Sequence, residues 1–289
     1  MKKIAILGCE NSHANAFLTF IKEKEEFADI CVIGVYSDER EAAEKLNAKF
    51  GVPVMDGYAD AVGKIDGLII TARHGDNHYK YAKPYINSGI PIFIDKPITI
   101  DETEAIDFMR RLRDKKIRIS GGSSLKQDIF VRELKQDVVN NVDGTTLGGY
   151  VRAPYQSANE YGNFYFYAQH LVEMICEIFG RFPLSVMANQ NGKQIHVLFH
   201  YEDYDCVGLL CDNNYLYYAS RMAEKSAKSF VIPTTNDWFY EEFKEFYELL
   251  QGGEQTVKYD EFISPVFIMN AIERSLASGK EELLRKIEL

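Results

Sequence analysis

Over the first 120 residues, short uninterrupted apolar runs alternate with stretches of helical spacing. Lys3 to Leu7 is such a run and ends at Gly8. Ile30 to Tyr36, Gly67 to Thr71, Ile90 to Ile94 and Ile117 to Ser120 are four more. Between them Ala14 to Phe27, Glu39 to Phe50, Asn77 to Ser88 and Asp101 to Lys115 have helical character. Gly89 closes the third helix, and Asp101 or Thr99 caps the fourth. Gly51-Val52-Pro53-Val54 breaks the second helix and opens a further extended piece. Strands that are apolar along their whole length are buried on both faces. Only a parallel sheet covered by crossover helices buries them so.

After Gly121-Gly122 the pattern changes. Alternating segments at Gly148 to Arg152, Ser185 to Gln190, Gln194 to His200, Cys206 to Leu210 and Tyr215 to Ala219 are joined by Asn/Gly turns. They read as antiparallel strands. Helices are expected at Gln127 to Val139, Gln169 to Phe179, Trp238 to Leu250 and roughly Ser264 to Ser278. The chain is therefore read as α/β. A parallel-sheet domain over 1–120 is followed by an α+β domain over 121–289 with an open, mainly antiparallel sheet. A sheet open on one face calls for cover, so a homodimer or homotetramer is expected.

The formal charge of −10 argues against a nucleic-acid partner and against a polybasic membrane surface. No apolar run approaches the ~18–20 residues of a membrane helix. Lys2 and Lys3 precede only Ile4 to Leu7, too short a run for a secretory signal. Cys9, Cys31, Cys176, Cys206 and Cys211 are odd in number, scattered and without CxxC spacing. Reduced thiols in a cytoplasmic protein are expected.

Ligands of open parallel sheets bind outside the carboxyl ends of the strands. Four loops lie there. In Gly8-Cys9-Glu10-Asn11-Ser12-His13 only the first glycine of a dinucleotide-binding GxGxxG turn is present. Glu10 holds the second glycine position and His13 the third, while Asn11 and Ser12 are good helix caps. In Tyr36-Ser37-Asp38, the Asp38 carboxylate can bond an adenosine ribose diol or cap the next helix. Arg73, His74 and His78 make the third loop unusually polar. His74 and His78 are spaced for a metal only if both lie on one helix, and Gly75 argues against that, so no metal is expected. In the fourth loop Lys96 follows a buried strand and precedes Pro97. Partial burial lowers a lysine's pKa and suits it to proton transfer, with Asp95 beside it to orient the charge.

Gly89-Ile90-Pro91-Ile92-Phe93-Ile94-Asp95-Lys96-Pro97 resembles the "Gly, apolar strand, Glu-Lys-Pro" signature of the glucose–fructose oxidoreductase, inositol dehydrogenase and rhizopine-catabolism (Gfo/Idh/MocA) family. Glu39 to Ala43, Phe50 to Val54, Ile65 to His78 and Ala271 to Ser275 resemble further parts of it. The resemblance implies a Rossmann domain plus an α+β domain. It also implies NAD, or less readily NADP, as cofactor, and a sugar, cyclitol or small hydroxy compound as substrate. Gly8, Asn11, Ser12, His13, Ser37, Asp38, Arg73, His74, His78, Asp95 and Lys96 become the expected cofactor contacts. Asp38 favours NAD, because a carboxylate repels a 2′-phosphate.

Tyr167-Ala168-Gln169-His170 through Gly180 resembles the family's catalytic helix. Lys96 and His170 are therefore the expected catalytic pair. Tyr165 and Tyr167 could face substrate or pack in the core, and Arg152 could meet an anionic group or solvent. Four departures stand out: the altered glycine turn, Asp95 for glutamate, Arg73-His74 where the family usually has Thr-Pro, and Phe166 where it commonly has aspartate. Glu10 and Phe166 keep open a non-redox ligand- or nucleotide-binding relative; no residue points specifically to a lyase or isomerase. The run Glu241 to Glu245 reads as the wet face of an amphipathic helix.

Overall fold

The computed structural model describes residues 1–235 and 237–289. Five parallel strands form the first sheet: β1 (Lys2–Leu7), β2 (Ile30–Tyr36), β3 (Gly67–Ile70), β4 (Ile92–Asp95) and β5 (Ile119–Gly122), in the order β2-β1-β3-β4-β5. A parallel bridge from Val35 to Val54 adds the remnant of a further strand outside β2. The order reverses beside β1, so the switch point of a doubly wound sheet falls at the loop after Leu7.

Helices α1 (Ser12–Glu23), α2 (Arg40–Phe50), α3 (Asp76–Ala82) and α4 (Glu102–Asp114) connect the strands. Asn11 caps α1 and Asp101 caps α4 through side-chain oxygens. Two expected helices are shorter than their patterns suggest. α1 ends at Glu23 and a 3-10 turn carries Phe27. α3 gives way at Lys83-Pro84 to a 3-10 turn, because proline has no N–H to continue the ladder.

A short 3-10 turn (Ser124–Gln127) and α5 (Ile129–Val139) lead into the second sheet. Its strands are β6 (Thr146–Tyr155), β7 (Ser185–Asn191), β8 (Gln194–His200), β9 (Asp205–Asp212), β10 (Tyr217–Ala223) and β11 (Ala227–Ile232), and α6 (Phe164–Phe179) lies between β6 and β7. Two helices, α7 (Asp237–Leu250) and α8 (Tyr259–Ser278), and a two-residue edge strand β12 (Glu282–Leu283) complete the chain. All strand pairs of the second sheet are antiparallel except β6 with β9.

Helix α6 starts earlier than expected and takes in the whole aromatic run. α8 also starts earlier, with Pro265 inside it. The carbonyl that Pro265 cannot satisfy, that of Glu261, accepts instead from Ser264 Oγ and Arg181 Nη1. β11 and β12 lie in segments where no strand was expected.

The last two helices return to the first sheet. Phe243, Phe246 and Leu250 of α7 join Ile4, Ile6, Phe17, Ile69 and Phe93 in one core, while Phe262, Ile263, Val266 and Phe267 of α8 join another with Ile92 and Phe108. Each such side chain stabilises the fold by roughly 1.5–3 kcal/mol. Gly67 makes the approach of α7 possible: a Cβ there would lie 2.7 Å from Leu250 Cδ1.

Candidate active site

The site is built where β1, β3, β4 and β5 end. Gly8 has φ +71° and passes so close to β3 that a Cβ would sit 2.4 Å from Ala72 backbone atoms. Only glycine fits such a turn. Beside it a cavity of about 590 Å³ is lined by Cys9, Glu10, Glu39, Arg40, Lys45 and Arg73 among others. Glu10 is folded onto the strand ends. Its carboxylate accepts from Ser37 Oγ at 2.6 Å and from Arg73 N at 3.0 Å. Ser37 Oγ in turn accepts from Glu39 N, so Ser37, not Asp38, braces the start of α2. Asp38 accepts from Tyr36 Oη and pairs with Lys80 Nζ at 2.9 Å, half exposed at the end of β2.

Lys96 follows β4 and is buried at 4% exposure. Its Nζ donates to the backbone carbonyl of Phe166 at 3.0 Å and lies over the rings of Phe166, 4.2 Å from the centroid, and Tyr167, 5.2 Å. A backbone carbonyl and two π faces thus stand where the family pattern has a carboxylate. Burial is the largest cause holding the Lys96 ammonium below its usual range; Asp95 opposes it and Arg73 adds to it.

His170 is one helical turn beyond Phe166, so both project from the same face of α6. Its Nδ1 bonds Ser123 Oγ at 2.7 Å. Burial, then the Lys96 charge, pushes the imidazole well below 6.5 and keeps it neutral. The Tyr167 ring lies 5.6 Å from His170 and 5.5 Å from Tyr215, so one ring borders both candidate catalytic groups. Lys96 and His170 therefore border the same tyrosine ring.

Asp95 is fully buried. It accepts from Lys96 N and Asn11 Nδ2, each at 2.7 Å, and approaches His13 Nδ1 at 3.3 Å. Burial raises its carboxyl to about 6 against the opposing pull of His13 and Lys96. Arg73 donates to Tyr161 Oη at 2.9 Å and lies over that ring. Tyr161 packs on Phe166, which ties the segment between β6 and α6 across the cleft.

The other expected residues fall in different places. Ser12 is exposed at the start of α1, and its N–H donates to Asn11. His74 sits in the loop after β3, accepting from Asp76 N. His78 is fully buried with Nε2 on the carbonyl of Ala72. His13 also points inward, at 3% exposure. Tyr165 is core: its hydroxyl donates to Glu273 of α8. Arg152 donates to Leu216 O and Asn214 Oδ1, and so shapes the turn that presents Tyr215.

Sequence reasoning missed Ser123 and Glu242. Ser123 follows the end of β5, the same edge that singled out the other loops. Glu242 was read as part of a wet helix face and is instead fully buried. Phe239, Phe243 and Phe246 around it, at helical spacing, carry the signal that places it on the apolar face.

Fold and site together define a nucleotide-binding protein of Rossmann type, with a buried lysine and histidine at its ligand edge. The family model described as "Oxidoreductase family, NAD-binding Rossmann fold" matches residues 2–123. Residues 2–123 are thus similar to the NAD-binding domain of the Gfo/Idh/MocA oxidoreductase family. No curated protein matches the sequence. Among solved structures, myo-inositol 2-dehydrogenase from Lactobacillus plantarum superposes with TM-score 0.84 at 14% identity, over 98% of this chain and 99% of that one. Myo-inositol dehydrogenase from Corynebacterium glutamicum gives 0.84 at 14%, over 99% of each chain. Scyllo-inositol dehydrogenase from Lactobacillus casei, solved with NAD(H) and scyllo-inositol, gives 0.83 at 16%, over 98% and 99%. At such identities the likeness shows the shared fold.

The residues present fit NAD. Gly8 keeps the turn tight, and the cavity beside it is lined by Arg40, Lys45 and Arg73. Glu10 is compatible because two donors already hold its charge against the strand ends.

Proposed function

We propose that this protein is an NAD-dependent oxidoreductase acting on a hydroxyl-bearing carbon of a sugar, cyclitol or related small polyol. The observation that carries the proposal is the meeting of Lys96 and His170 at the ring of Tyr167, both inclined to the neutral form by burial. Bound NAD would supply the hydride acceptor. Lys96 takes the hydroxyl proton, and His170, fixed through Ser123, holds the same oxygen. A base shifted toward neutrality matches that step. Asp38, Arg73, Asn11 and Asp95 hold the cofactor side, and Tyr167 offers its ring and hydroxyl to the substrate.

The part over 121–289 supplies the substrate side and the association surface. Met187, Leu198, Val207 and Tyr150 align across neighbouring strands on the face away from the helices. That face supports a homodimer or homotetramer in the cytoplasm; a mass measurement giving only monomer would remove it. The inositol dehydrogenases of the same fold support the substrate class.

Calorimetric titration of NAD(H) and NADP(H) into cofactor-stripped protein tests the reading, followed by turnover on inositols and sugars with Lys96→Ala as control. Binding of NAD(H) and Lys96-dependent turnover are expected. Binding of neither nucleotide overturns it. Glu10 at the second glycine position favours one other reading, a non-redox relative that senses a ligand. Such a protein would bind ligand equally well as Lys96→Ala.

A further inference from the structure

Next to Lys96, three buried titratable side chains from three elements lie in a row. His13 of α1 stands between Asp95 of β4 and Glu242 of α7. Its Nδ1 is 3.3 Å from Asp95 Oδ2 and its Nε2 is 3.3 Å from Glu242 Oε2. Among the described residues, neither ring nitrogen and neither Glu242 oxygen makes a hydrogen bond of good geometry, so these buried atoms have only one another within reach. The remaining wall is aromatic, with Phe239 4.3 Å and Phe17 5.8 Å from the imidazole. An apolar side chain at position 242 would continue the Phe243, Phe246 and Leu250 face without burying an acid.

We infer that Glu242, His13 and Asp95 form one proton-shifting line, and that Glu242 is a positioning residue that sets the basicity of Lys96 through it. The inference rests on the oxidoreductase reading for its catalytic meaning and on geometry alone for the line itself. In the resting arrangement, protonated Glu242 donates to His13 Nε2 and His13 Nδ1–H donates to ionised Asp95. Both ring nitrogens and Glu242 Oε2 are then used, and Glu242 Oε1 alone is left without a partner. In the shifted arrangement the Glu242 proton has moved to Nε2 and the Nδ1 proton to Asp95. The row carries one negative charge in both. Only its place changes, from beside Lys96 to α7. Lys96 loses its nearest counter-charge as Asp95 becomes neutral, and so becomes the stronger proton donor.

Burial, the largest cause at each site, keeps His13 neutral and Glu242 protonated as the resting arrangement requires, and brings Asp95 within reach of the proton that the shifted one places there. It drives His13 below 6.5, Asp95 up to about 6 and Glu242 well above 4.5. Other charges reach Glu242 from every neighbouring element: Lys126 from the turn after β5, Glu173 from α6, Glu245 from α7 itself, and Lys96. Lys126 and Glu245 also line a cavity of about 450 Å³, which gives the outer end of the row a polar neighbour.

Two measurements on the full chain test the line. In protein with ¹⁵N-labelled histidine and no cofactor, His13 is expected as the neutral Nδ1–H tautomer from about pH 6 to about pH 8. An Nε2–H tautomer, or an imidazolium across that range, overturns it. Glu242→Gln keeps a donor for Nε2 but cannot accept the charge, so the charge stays on Asp95. Lys96, followed by its ¹³Cε resonance, should then stay protonated to higher pH by roughly one to two units. The low-pH limb of kcat/KM should move up with it, while KM for the polyol holds. A Lys96 titration coincident with the parent protein overturns the inference. If neither protein oxidises any polyol, the oxidoreductase reading falls, and the histidine spectrum and the Lys96 titration still decide the line. If Glu242→Gln does not fold, the spectrum of the parent protein decides it.

Discussion

Replacing Lys96 by methionine should stabilise the protein while abolishing its turnover. The side chain is 4% exposed, its Nζ has one neutral hydrogen-bond acceptor, and it forms no ion pair among the described residues. Burying an ammonium costs several kcal/mol even after relaxation. Against this stand a hydrogen bond from a charged donor, about 1.5–3 kcal/mol, and a desolvated cation–π contact of about 2 kcal/mol. With the attraction of the Asp95 carboxylate also set against the burial, the remainder is a net cost on the order of 1–2 kcal/mol, which an isosteric thioether avoids. At ~2.1 cal/mol/K per residue, unfolding 289 residues has an entropy of about 0.6 kcal/mol/K, so Tm should rise by about 2–3 °C.

The pH dependence has a definite sign. The folded-state pKa of Lys96 lies below 10.5. Between the two values the unfolded chain binds more protons than the folded one, so parental stability rises with pH through that window. Below the folded value the cost is present in full. The advantage of Lys96→Met should therefore be largest near neutral pH and shrink toward pH 10.5. Urea unfolding of both proteins across this range measures it. A methionine variant that unfolds more easily, or whose advantage ignores pH, refutes the view that this ammonium is held at a cost for its chemistry. Retained turnover refutes its catalytic role.

Three further outcomes are expected. His170→Ala should lower kcat by about 10²–10⁴ with folding intact, measured by steady-state turnover and thermal unfolding. Glu10→Gln removes a negative charge from the cavity lined by Arg40, Lys45 and Arg73, and NAD(H) should bind about tenfold tighter by calorimetry; unchanged affinity would place the dinucleotide elsewhere. Asp128→Ala removes the cap on Phe130 and Val131 N–H and the partner of the Trp238 indole, and should cost about 2–4 kcal/mol in urea unfolding.

The parallel sheet and the loops at its carboxyl edge were legible because both are local patterns. Continuous apolar runs mark strands buried on two faces, and the polar residues that follow them mark the strand ends. Gly8, Asp95 and Lys96 could be placed by that rule alone. His170 could not: only family resemblance pointed to it, since nothing in its own helix says which strand end it will face. The same limit hid Ser123 as its partner. Tyr165 and Tyr167 were indistinguishable in sequence, yet helical rotation sends one hydroxyl to Glu273 and one ring to Lys96.

By itself the sequence determined an α/β chain with a nucleotide-type edge and a lysine held at it, because backbone periodicity and burial are properties of neighbouring residues. Only the tertiary structure decided what surrounds that lysine. It brought the Phe166 carbonyl to Nζ in place of a carboxylate, folded Glu10 onto Ser37 and the Arg73 amide, and returned α7 across the first sheet so that Glu242 meets His13. Each of these depends on groups up to 229 positions apart in the chain, and the free energy of a charge is set by the atoms packed around it rather than by its neighbours in sequence.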